Sequence, residues 1–346
     1  PTAMKLLEKI SGIDVKTIPM NDAKTLSLFN SSAALNIINP KYNEETGACG
    51  LPEFGTRNSR RTLVETRPHV FSELVQLSGL SHGTDVWAGN AEELIKQGIA
   101  LADVIGCRDD IMSRLMEYKL ESKDAFSIME HVRKGKGLTP EEEELMLSHE
   151  VPKWYIESCK KIKYMFPKAH AVAYVIMAVR IAWFKVYHPE YYYVSYFTLR
   201  CDAYELETMI KDADSIYLRM QELLEKINSR ENPASKKEKD IFDTIEVCYE
   251  MVSRGYKMLN IDLEKSLATE FRVNPDNNHE IYPPFKVLDG LGDNVAISIE
   301  EARKERPFMS KEDLMRRTQI SQTLLKKLDD LGALKGLDDS DQMSLF

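Results

Sequence analysis

Apolar residues return every three or four positions through most of this chain, and clear alternation is rare. That period predicts amphipathic helices over residues 4–12, 90–106, 109–120, 122–137, 139–150 and 169–189. Several carry their own ends. Thr139-Pro140-Glu141-Glu142 sets a capping hydroxyl before a first-turn proline and acidic residues. Lys134-Gly135-Lys136-Gly137 gives the preceding helix a basic last turn and a glycine stop. Residues 203–257 read as a helical hairpin with the charged turn 230–240. Only 266–273, "SLATEFRV", reads as a short strand, before a turn over 274–284. The fold class expected is mainly α: a multi-helix domain, then a small helix-hairpin-helix domain with few short strands.

Composition narrows the classes. The 346 residues are 43% hydrophobic and 29% charged, enough for a folded core and two or three domains. A net charge of −9 excludes a uniformly basic surface, so charge has to be read locally. Five cysteines stand far apart without C-x-x-C spacing, which argues against a zinc site or a disulfide framework and for a reducing, cytoplasmic setting. The apolar run 169–187 carries Arg180 and Lys185, too polar for an unaided membrane span, and the amino terminus has no secretory signal pattern. The first residue is not Met, which reads as a piece of something longer.

Residues 151–200 hold eight Lys/Arg against two Asp/Glu, an expected face for polyanions. Within them Lys168, His170 and Tyr174 open a helix, and a spacing of four puts the two rings on one face, suited to a base while Lys168 meets phosphate. A packing or surface role is the alternative. Arg57, Arg60 and Arg61 crowd a helix that either lines phosphates or is merely solvated. The glycine-containing loop with Ser81, His82 and Gly83 can approach a ligand closely. Neighbouring Ser81 and His82 point apart and sit in no G-x-S-x-G elbow, so hydrolysis is excluded. Asp109-Asp110 and Asp212/Asp214 lie in helical, charge-rich context and read as caps or surface groups rather than metal-binding pairs.

Late in the chain, Leu288, Gly290, Gly292 and Ala296 make the h-x-G-x-G-x-x-x-A arrangement of a helix-hairpin-helix. Its glycines turn tightly and leave amides at a helix start, with Asn294, Arg303 and Lys304 following, for a DNA phosphate. A helix cap without a ligand is the alternative. A companion unit offers a cap at Ser310 and the cations Arg316, Arg317, Lys326 and Lys327, either phosphate contacts or solvated charge. The closing Gln342, Met343, Ser344, Leu345 and Phe346, after an acidic lead-in, read as an extended peptide whose apolar pair enters a partner's pockets.

Together, "FSELVQLSGLSHGTDVWAGNAEELI", "IGCRDDIM", "VRKGKGLTPE", "VPKWYIESCKKIKYMFPKAHAVAYVIMAVRIAWFKVYHP", "GLGDNVA" and "QMSLF" resemble, in order, the carboxy-terminal portion of PolC-type bacterial DNA polymerase III alpha subunits. The resemblance implies the end of a palm over 1–50, fingers over 51–257, a duplex-binding domain over 258–337 and a clamp-binding tail over 338–346. It implies primer-template DNA, a deoxynucleoside triphosphate and the sliding clamp as partners. It assigns Lys168 and Arg108 to the triphosphate, and Phe166, His170 and Tyr174 to the base, with Ser81, His82 and Gly83 nearby. It places the carboxylates that hold Mg2+ upstream of this chain, so the chain alone is expected to bind without catalysing. The competing expectation is a helix-hairpin-helix module that tethers DNA to a clamp without binding nucleotides.

Overall fold

A computed structural model describes residues 2–340. Its helices, in chain order, are α1 (Thr2–Ser11), α2 (Ala23–Ser27), α3 (Arg57–Thr66), α4 (Phe71–His82), α5 (Glu92–Lys96), α6 (Arg108–Glu117), α7 (Ser122–Arg133), α8 (Pro140–Ser148), α9 (Lys153–Lys161), α10 (Lys168–Tyr187), α11 (Pro189–Leu199), α12 (Leu206–Met209), α13 (Ala213–Asn228), α14 (Lys236–Ser253), α15 (Asp293–Glu305), α16 (Lys311–Arg317) and α17 (Gln322–Asp330). The protein is mainly α, as expected, with one small sheet. Two compact units form: residues 18–34 with 44–183, and residues 2–17, 35–43 and 184–340. The hairpin 203–257 and the residues that follow it therefore share one unit.

Local signals explain most helix ends. Thr139 Oγ1 accepts from Glu142 N while the Glu142 carboxylate accepts from Thr139 N, a reciprocal cap ahead of Pro140. Ser235 and Glu238 repeat the device at the start of α14. In the first unit, α6 and α7 pack as a hairpin, and Ile111, Leu115, Ala125, Ile128 and Val132 are fully buried at helical spacing. Helix α10 buries Ala171, Val175, Ala178 and Ala182 completely, one face at spacings of four and three. It is long and apolar enough to cross a membrane by length and composition, yet half of that window is buried within the protein.

Two expectations need correction. The helix expected over 90–106 ends at Lys96, because Gly98 takes φ +95°, and Val104 and Ile105 reach the core from a loop. The expected strand 266–273 begins only at Arg272. Strand β1 (Lys257–Met258) pairs parallel with β3 (Asn277–Tyr282), and β2 (Arg272–Asn274) pairs antiparallel with β3, giving the order β1-β3-β2. Residues expected to form a long turn thus supply the central strand. The turn is confined to 275–276, and Asn274 Oδ1 accepting from Asp276 N closes it.

The second unit holds a buried ionic network. Lys185 Nζ lies 2.9 Å from Glu250, and both side chains are fully enclosed. Tyr193 Oη donates to Glu250 at 2.8 Å, while Arg254 donates to Tyr193 Oη, to Leu35 O and to Lys185 O. Burial pushes the Tyr193 hydroxyl well above its usual pKa, so it stays a donor.

Candidate functional site

In the first unit four rings from three segments meet. The His82 imidazole, on the last turn of α4, stacks on Phe166 at 4.7 Å and lies 5.9 Å from Tyr174. Phe166 in turn faces Tyr174 at 6.1 Å and His170 edge-on at 5.9 Å. The spacing of four on α10 therefore does bring His170 and Tyr174 to one place, with Phe166 as their common neighbour. Tyr174 is 45% exposed, so the platform keeps an open face.

Backbone geometry fixes this platform. Thr84 N donates to Tyr164 O and Lys163 N to Thr84 O, a bridge that joins the end of α4 to the segment before α10. Gly83 permits the crossing: a Cβ there would stand 2.3 Å from Val86 Cγ2 and 3.0 Å from Tyr164 O. His82 is held from behind by Glu53, whose carboxylate lies 2.7 Å from Nε2 and accepts from Ser78 Oγ at 2.7 Å. Glu53 adopts φ +69° and is nearly enclosed. Nothing local in the sequence marks it, since its partners are 25 and 29 residues away. Ser81 Oγ donates to Ser78 O rather than to His82, so these two neighbours do not form a nucleophile-base pair.

Helices α6 and α10 start side by side. Arg108 N donates to Phe166 O, Asp109 accepts from Lys168 N at 2.8 Å, and Asp110 accepts from the amides of Gly106 and Cys107. Both aspartates are caps, as their context indicated. Lys168 Nζ bonds Asp110 at 2.8 Å, which raises its pKa and keeps it cationic. Arg108, Phe166, Lys168, His170 and Tyr174 thus gather at one end of α10. Beside the platform a cleft of about 420 Å³ brings Arg61 of α3 to Glu53, Ser81, Gly83 and Trp87. Arg61 thereby shares a cleft with the 81–83 loop.

In the second unit the glycine hairpin has the expected form. Gly290 takes φ +89°, Gly292 caps α15, and nothing stands within 4 Å of a Cβ built at Gly292. Ala296 N makes the first intrahelical bond, to Gly292 O, so the amides of Asp293, exposed Asn294 and Val295 remain at the open helix start. Lysines surround it: Lys327 donates to Asp289 O, Lys237 pairs with Asp289 at 2.9 Å, and Lys286 pairs with Asp293 at 3.0 Å. Lys237 and Lys286 were not singled out from the sequence, because 237 lies on a helix 52 residues before Asp289.

Other expected cations turn inward. Arg60 is 6% exposed, near Glu44 at 3.7 Å. Arg303 lies over the Phe285 ring and donates to Leu263 O, and burial lowers its pKa. Arg317 stacks on Phe308 and bonds Asp313 together with Arg306 and Arg316. Asp313 is completely buried, so these guanidinia complete a structural cluster first. Among the expected phosphate contacts Arg57, Lys304, Arg316 and Lys326 remain at the surface. Gln342 to Phe346, expected to bind the clamp, lie outside the described residues.

Among the described residues no group of three His, Cys, Asp or Glu can hold a metal. Asp109 and Asp110 are committed to amides and Lys168 and do not fit Mg2+. All five cysteines are free thiols, and burial pushes Cys107 up to about 12.

Residues 1–152 match the model of the bacterial DNA polymerase III alpha subunit finger domain, and residues 255–343 match a helix-hairpin-helix motif. The whole chain is 52% identical to the PolC-type DNA polymerase III of Listeria innocua, 51% to that of Bacillus subtilis and 53% to that of Staphylococcus aureus, and spans 24% of each. By sequence identity over its whole length the chain belongs to the PolC-type DNA polymerase III family, and it carries matches to that family's finger domain and to a helix-hairpin-helix motif.

Proposed function

We propose that this chain is the fingers and duplex-binding part of a replicative DNA polymerase, and that it takes up primer-template DNA, the incoming deoxynucleoside triphosphate and the sliding clamp in the cytoplasm. The observation that carries the nucleotide reading is the open platform of His82, Phe166 and Tyr174 beside a cationic Lys168. Rings offer a flat apolar face to a base pair, while Lys168, Arg108 and Arg61 supply charge for the phosphates. Asp110 holds Lys168 ready, and exchanging that carboxylate for a phosphate oxygen keeps the ammonium paired throughout. The hairpin amides at Asn294, ringed by Lys237, Lys286 and Lys327, grip duplex backbone without reading sequence.

Mg2+ would be held by carboxylates elsewhere in the full enzyme, so the chain by itself binds and positions but does not join nucleotides. The terminal pentapeptide is the clamp contact, a reading that its own sequence supports. Titrating labelled primer-template with and without the matched nucleotide tests the main reading. Affinity should rise with the correct nucleotide, and changing Lys168 and His170 to Ala should remove the gain. If wild type shows no gain, the non-enzymatic DNA tether is the better account. Deleting Gln342 to Phe346 should abolish clamp capture and leave DNA affinity intact.

A further inference from the structure

We infer that the junction between the glycine turn 134–137 and the connecting segment 162–166 is the path of an unpaired nucleic-acid strand, the template ahead of the nucleotide site. The inference rests on the nucleotide-site reading above. Gly135, at φ +69°, backs onto Lys163, where a Cβ would stand 2.6 Å from the carbonyl oxygen and 3.1 Å from Cα. Only glycine allows that approach. It sets Lys136 and Lys163, both exposed, on adjoining turns.

The charges there are unequally matched. Arg133 and Lys134 converge on Glu130 and hold its carboxyl down to about 2. Lys161 donates to Gly89 O at 2.8 Å, with Glu93 at 3.8 Å. Lys136 and Lys163 have no acidic partner among the described residues. In a chain of net charge −9, two cations left without acids on adjoining turns form a local field for an anion.

Tyr164 decides which anion. It is 47% exposed, its backbone is fixed by the bridge to Thr84, and it lies two residues before Phe166 on an extended segment. Exposed Tyr164 and half-buried Phe166 flank buried Met165, an alternation that lets Tyr164 extend the ring platform toward the lysines. Rings followed by cations fit a single strand: unpaired bases stack on the rings and phosphates meet the ammoniums, without sequence preference. A duplex, its bases already stacked, has no use for Tyr164, and an acidic peptide would use the lysines alone.

The test measures the affinity of the full-length polymerase for primer-templates whose template overhang is one nucleotide or about ten, with matched nucleotide present. Wild type should bind the long overhang about tenfold more tightly. Lys136→Gln with Lys163→Gln, and separately Tyr164→Leu, should remove most of that difference and leave the one-nucleotide complex unchanged. The lysine pair should also lower the salt slope for the long overhang by about 1.4. Equal wild-type affinity for both lengths, a length effect that survives in the variants, or equal loss for both lengths would each overturn the strand path alone. Absence of any nucleotide-dependent gain with the one-nucleotide overhang would overturn the nucleotide site and this inference together.

Discussion

Helix α10 carries a lysine near each end, Lys168 and Lys185, and each meets a carboxylate from another helix at nearly the same distance, 2.8 and 2.9 Å. Their surroundings differ. Lys168 is half exposed against a partly exposed Asp110, whereas Lys185 and Glu250 are fully enclosed. Water screens the first pair and leaves Asp110 open to replacement by another anion. The second is fully enclosed, so removing either charge would leave the other buried without its partner. Distance alone says little about what an ion pair is for; exposure separates the solvent-facing lysine from the structural one.

The buried pair should show the largest effect. Glu250→Ala leaves Lys185 charged and enclosed, and the loss of stability in chemical denaturation should be about 3–5 kcal/mol. Replacing both with apolar residues of similar volume should recover most of it. A single variant within ~0.5 kcal/mol of wild type would mean that the pair is solvated.

Next comes Asp313, where three arginines surround one buried carboxylate. Asp313→Asn should cost roughly 2–3 kcal/mol. The guanidinium of Arg306 leads in holding its carboxyl far below the usual range. A group depressed on folding stabilises above its unfolded pKa, so this contribution should be whole above about pH 4 and fade as pH falls below it. A pH-independent difference between wild type and Asp313→Asn across that window would contradict the assignment.

Lys168→Ala should barely change stability, by less than ~1 kcal/mol, yet weaken matched-nucleotide binding about tenfold. A reversed pattern, with stability lost and affinity kept, would make it a structural lysine like Lys185. The smallest effect is expected at Lys326. Its change to Ala should lower duplex affinity evenly across sequences and reduce the salt slope by about 0.9.

How legible these sites were follows from sequence distance. The His170/Tyr174 face, the Thr139 and Ser310 caps and the glycine hairpin depend on neighbours within a few residues, and each appeared as read. Glu53 behind His82 and Asp110 beneath Lys168 are 29 and 58 residues from their partners, and no local period connects them. The arginines show the same limit from the other side. Arg60, Arg303 and Arg317 carry the charge of phosphate contacts but serve carboxylates and carbonyls inside the fold.

The order of apolar and polar positions was enough to determine a mainly helical chain, its main caps and the glycine turn, because those follow from bonds that close within one turn of backbone. Family membership was also visible in its motifs. Tertiary structure alone decided which cations face solvent, which carboxylates hold them, and that a stretch resembling a turn would become the central strand. Those outcomes depend on desolvation, and desolvation is set by whatever the fold brings alongside from far away in the chain.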